Sequence, residues 1–179
     1  MMILYPKAYI DFLVYFHGAR DYFECHEILE EYWKQHDPNN RSSVWVGLIQ
    51  VAVALYHHRT GNFNGSYRLL YKAINNIDKH RKQITALGLD FEQMSIILKE
   101  RLAEINDRKK YYSINLPIQD ENLLETCKEQ CLFLGLNWND ESDFANHSLI
   151  YKHSMRDRSK IKKEREKQLS IRKNERPDS

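Results

Sequence analysis

Two stretches of the chain carry the residue types that chemistry needs: DYFECHEILEEYWK at 21–34 and GLIQVAVALYHHRTGN at 47–62. In the first, His26 and Glu30 stand four residues apart, one helical turn, so an imidazole and a carboxylate can share one ligand. In the second, Gln50 and His57 lie seven residues apart on one stripe of an otherwise almost wholly apolar helix. Burying an unpaired amide or imidazole costs about 1 to 3 kcal/mol each, so partners must face them, and His26 and Glu30 are the expected ones. The predicted site is therefore a polar cluster between two packed helices, made by His26, Glu30, Gln50 and His57, with Glu27, Glu31 and Arg41 nearby. As a metal centre it would use His26, Glu30 and His57 to hold a divalent ion, with Glu27 or Glu31 as general base through a bound water in hydrolysis. As a binding or interaction module, the preferred reading, the cluster fixes helix register and orients a small polar ligand or holds an interface.

Familiar catalytic motifs are missing. His26-Glu27-Ile28-Leu29-Glu30 has Glu where HExxH peptidases need a second His, no Glu-x-x-His pair occurs, and GxxxxGK[ST], GxGxxG and GxSxG are absent. Cys25 falls on the apolar face of its helix, and Cys127 and Cys131, one turn apart, complete an odd set without zinc spacing, which predicts reduced, packed thiols. The longest apolar run, Val44 to Tyr56, is 13 residues and broken by Gln50, short of the ~20 that span a bilayer. MMILYPK lacks the form of a secretory signal, so a cytoplasmic protein is expected, without a membrane role.

Positioning these residues falls to helices. With 6 Gly and 4 Pro in 179 residues and apolar positions recurring every three or four, the sequence predicts an all-α bundle with a central buried apolar helix and a charged helical C-terminal extension. The pattern gives helices at 7–16, 21–35, 43–59, 64–82, 90–110 and 120–135, with capping signals at Asp21, Ser42 or Ser43, Asp90 and Asp120. A helical bundle core at 1–112, a helical appendage at 113–151 and a basic tail at 152–179 are the expected divisions. Residues 1–151 hold 16 Lys and Arg against 20 Asp and Glu, and residues 152–179 hold 11 against 5, so a body of net −4 carries a tail of net +6. That tail could follow a nucleic acid by counterion release, yet Lys160/Glu164 and Lys162/Glu166 suit a solvated helix and no aromatic after Tyr151 could stack on a base. Partly buried tyrosines would suit a protein partner or a homo-oligomer.

The strings YFECHEILEEYW, then Arg41, then VGLIQVAVALYHHRTGN followed by RLLYKA resemble the small all-helical family catalogued as domain of unknown function 309. The likeness is densest over residues 15–75, and the later INLPIQDENLLETCKEQCLFLGLNW resembles longer versions in Bacillus-like bacteria. The resemblance implies a helical bundle with no established activity. Its motif positions fall on His26, Glu27, Leu29, Glu30, Trp33, Arg41, Gly47, Gln50, Ala54, His57, Gly61 and Asn62.

Overall fold

A computed structural model of the chain describes residues 4–143, 146 and 150. Its helices are α1 (Lys7–Val14), α2 (Tyr22–His36), α3 (Val44–Arg59), α4 (Phe63–Lys79), α5 (Arg81–Ala86), α6 (Phe91–Asn106) and α7 (Glu121–Phe133). The fold is all-α, and among the described residues extended pairing is confined to one bridge between Leu89 and Ile118. None of the described helices is long and apolar enough to cross a membrane.

Side-chain acceptors start the long helices where the sequence offers them. Asp21 accepts from the amide of Glu24, Ser43 from Trp45, Asn62 from Gly65, Asp90 from Gln93, and Asp120 from Asn122 and Leu123. Helix ends depart more from expectation. Instead of breaking at His17, α1 runs on as a π-helical turn, Tyr15–Ala19, closed by Arg20 in the left-handed region at φ 52°. The single helix expected at 64–82 is divided at His80 into α4 and α5, and α6 stops at Asn106 rather than Lys110 because Arg108 turns left-handed at φ 54°. The expected charged C-terminal extension lies outside the described residues apart from residues 142, 143, 146 and 150, and the whole of 152–179 lies outside them.

The buried faces of α1, α2, α3, α4, α6 and α7 meet in one core. Within it α3 packs against both α2 and α4, with Leu48, Val51, Ala52, Ala54 and Leu55 fully buried. Helix α7 lies on α1 and brings Leu123, Cys127 and Cys131 into the same core. Gly18 permits that approach, since a methyl group there would sit 2.7 Å from Cys131 Sγ. Burial pushes the Cys127 thiol up to about 12 and the Cys25 thiol well above its ordinary value, so both are protonated packing groups.

His17, 1% exposed, ties the π turn to the chain after α6. Its Nδ1–H donates to the carbonyl of Leu13 at 2.7 Å, while its Nε2 accepts from the amide of Leu116 at 2.9 Å. The second bond needs the neutral ring, and burial lowers the His17 pKa from 6.5 to about 3. Because the unfolded chain takes up this proton first, the contribution is complete above pH 6.5 and is lost as pH falls toward 3. Each such histidine adds a slope of up to about 1.4 kcal/mol per pH unit. Urea unfolding between pH 6 and 5, above the carboxylate range, should show stability falling with acid. His17→Gln, which keeps an acceptor for Leu116, should lose its share of the slope, and an unchanged slope would place the imidazole in water.

Candidate ligand-binding site

The expected cluster is distributed over separate places. On α2, His26 Nε2 lies 2.8 Å from Glu30 Oε2, Lys34 Nζ lies 2.9 Å from Glu30 Oε1, and His26 Nδ1 is 3.6 Å from Glu27. This row of partly exposed groups lowers the Glu30 carboxyl to about 2, chiefly through the His26 hydrogen bond, with burial opposing and Lys34 assisting. Glu31 is exposed. His57 accepts at Nδ1 from the Asn62 side-chain amide at 3.3 Å. Its neighbour His58 is the buried one, 2% exposed, and donates from Nε2 to the carbonyl of Lys109 at 2.8 Å. The exchange has a simple cause: α3 is apolar on nearly every side, so periodicity alone does not choose between the face of Val51, Leu55 and His58 and that of Gln50 and His57. Among the described residues no group of three His, Cys, Asp or Glu side chains is placed to hold a metal ion, so His26, Glu30 and His57 do not converge as ligands.

Gln50 and Arg41 do come together, in a cleft of about 240 Å³ beside the N-terminal half of α3, where Lys72, Asn76, Lys79 and His80 complete the wall. Two features of the sequence build it. The loop before α3 is held by its own side chains: Asn40 donates to Asp37 at 3.0 Å and accepts from the amide of Ser42 at 3.1 Å, while Trp33 Nε1–H donates to the Asn40 carbonyl at 3.0 Å. From α4, Asn76 donates its side-chain amide to the carbonyls of Ser43 at 2.9 Å and Ser42 at 3.2 Å. Asn76 reaches them because Gly47 has no side chain; a methyl there would lie 2.8 Å from Asn76 Cγ. His80 donates from Nδ1 to the carbonyl of Asn76 at 2.7 Å, which fixes its ring against the cleft. No carboxylate lines the cleft, whereas Arg41, Lys72 and Lys79 do, so its chemistry is that of an anion receptor rather than of an acid and base.

A second polar assembly, in the core, was not anticipated. Arg20, 1% exposed, donates to the carbonyls of Ile114 and Asp140 at 2.6 Å each and to Asn115 Oδ1 at 2.7 Å. Arg59 donates to the Arg20 carbonyl at 2.7 Å and lies 4.7 Å from the Tyr22 ring centroid, and Arg101 donates to the Tyr112 carbonyl at 2.6 Å and lies 4.2 Å from the Tyr112 centroid. Tyr22 and Tyr111 share a hydroxyl hydrogen bond between them. Aromatic faces stand in for carboxylates around Arg59, while Arg101 Nε also lies 3.9 Å from Glu104 Oε2. A sequence signal existed for Arg101, which occupies the apolar stripe Met94, Leu98, Arg101, Ile105 of α6, where a cation must be buried or the helix must turn away.

Comparison with known proteins decides the family. The chain is 46% identical to the uncharacterized protein YpuF of Bacillus subtilis (strain 168) over 173 residues, 97% of this chain and 99% of the relative. A family model described as domain of unknown function (DUF309) matches residues 9–69. The chain belongs to this family. No solved structure matches it. The family's matched region runs from α1 into the first half of α4 and includes Arg41 and Gln50, but not Lys72, Asn76, Lys79 and His80. Several of its motif positions serve the α3–α4 pairing: Gly47 admits Asn76, the Ala54 carbonyl accepts from Ser66 Oγ at 2.6 Å, and His57, Gly61 and Asn62 form the turn. Gly47→Ala should displace Asn76 and cost about 1 to 3 kcal/mol, the usual range for overpacking. Thermal or urea unfolding reads this directly; wild-type stability in Gly47→Ala would mean that α4 does not need the close approach.

Proposed function

We propose that the chain is a cytoplasmic binding module that holds a small anion in the cleft of Arg41, Gln50, Lys72, Asn76, Lys79 and His80. The single observation that carries this reading is a built cavity lined by cationic side chains and no carboxylate, with its loop tied down before any ligand arrives. A fixed receptor loses little ordering entropy on binding. Arg41 offers a forked donor, Lys72 and Lys79 offer ammonium groups, and Gln50 offers an amide, a set that fits phosphate or carboxylate oxygens. In this reading residues 1–112 form the binding bundle, Ile114, Asn115 and Asp140 of the appendage brace it through Arg20, and His26, Glu27, Glu30 and Glu31 act as a surface ion-pair row beside the site.

Calorimetric titration of the full chain with inorganic phosphate at low ionic strength tests the reading. Charge-assisted hydrogen bonds of about 1.5 to 3 kcal/mol each, less the cost of association, give an expected Kd on the order of 0.1 to 1 mM. Binding should weaken with salt and fall about tenfold in Arg41→Ala and in Lys72→Ala. Absence of saturable heat, or wild-type affinity in both variants, would overturn it.

A further inference from the structure

Among the described residues four helices end in the same hydrogen-bonded turn, and one of them breaks the residue rule. At α3, α5 and α7 the left-handed position is Gly61, Gly88 or Gly135, with φ between 73° and 84°. At α6 the paired bonds recur, the Arg108 amide to the Ile105 carbonyl at 3.0 Å and the Lys109 amide to the Glu104 carbonyl at 2.9 Å, yet the left-handed residue is Arg108. Glycine takes that conformation without cost and a side chain does not, so the arginine is held there against local preference.

Its side chain is spent on a second cleft. Arg108 Cζ lies 5.6 Å from the Phe63 ring centroid, and the two line a space of about 450 Å³ between the start of α4 and the end of α6, with Asn64, Tyr67, Arg68 and Asn106. The set contains planar π faces, amides that both donate and accept, and guanidinium groups, with no carboxylate in the lining. Tyr67 also stacks on Tyr71 at 6.3 Å and 17°, continuing the aromatic surface along α4 toward Lys72. We propose that this cleft binds a nucleoside phosphate, free or within a single strand: the rings take the base, Asn64 and Asn106 read its edge, and Arg68 and Arg108 hold the phosphate. An acidic peptide would engage the arginines but would leave the amide pair and the flat ring surface without a planar partner. The proposal is independent of the anion cleft described above.

The test uses the full chain in an Arg41→Ala background, which weakens phosphate binding at the other cleft about tenfold, and follows tyrosine fluorescence with adenosine 5′-monophosphate, adenosine, inorganic phosphate and a riboadenylate octamer as probes. The monophosphate should bind at least tenfold more tightly than adenosine or phosphate alone. Arg68→Ala should weaken it at least tenfold. Arg108→Gly should do the same while raising the Tm, an outcome that a merely structural arginine would not give. An octamer more than tenfold tighter than the monophosphate, with the gain lost in Tyr71→Ala, assigns the ligand to a strand, and equal affinities assign it to a free nucleotide. Monophosphate binding no tighter than inorganic phosphate, or unchanged in Arg108→Gly, would overturn the proposal.

Discussion

The antiparallel pairing of α3 with α4 is the constraint on which the rest of the molecule depends. Three ties set its register. At the turn, Gly61 takes φ 84°, the Asn62 amide donates to the His57 carbonyl at 2.8 Å, and Asn62 then caps α4. In the middle, Ser66 Oγ bonds the Ala54 carbonyl, and at the far end Asn76 reaches over Gly47 to the loop carbonyls. Each buried hydrogen bond is worth about 1 kcal/mol net, but leaving its partner unpaired in a dry interface costs more, so a slip of one residue is heavily disfavoured.

With one face of α4 fixed in this way, its other face is left outward. Leu70, Ala73, Ile74 and Ile77 are buried, which turns Tyr67, Arg68, Tyr71, Lys72 and Lys79 outward. Both clefts use α4 as a wall, one near its start and one near its end. The arginine core acts at a distance from both. Arg59 bonds to the Arg20 carbonyl, and the Arg20 guanidinium holds Ile114 and Asp140, so the chain after α6 is anchored to the α2–α3 side of the bundle. Such a core is costly to bury unless every guanidinium finds carbonyls or rings, which Tyr22, Tyr111 and Tyr112 supply.

Helix type and starts were legible in the sequence because they rest on local chemistry: an acceptor at Asp21, Ser43, Asp90 or Asp120 followed by amphipathic spacing. Helix ends were less so. The π turn keeps Gly18 inside the helix instead of breaking at it, the division at His80 carries no Gly or Pro, and Arg108 sits where a glycine would have announced the stop. Residue spacing predicts Arg41 near a cluster of His26, Glu30, Gln50 and His57; Arg41 and Gln50 line one cleft, whereas His26, Glu30 and His57 are not brought together as metal ligands. That failure follows from α3 itself. A helix apolar all round does not declare which polar residue faces which neighbour, and the cations that complete the cleft lie on α4, far along the chain.

Amide NMR mapping on the isotope-labelled full chain, titrated with inorganic phosphate, locates the anion. Saturable shifts should be confined to residues 41–43, Gln50, the Lys72–Lys79 half of α4 and His80, with the His26 to Lys34 row unmoved. Shifts centred on His26, Glu30 and His57, or none that saturate, would contradict that placement.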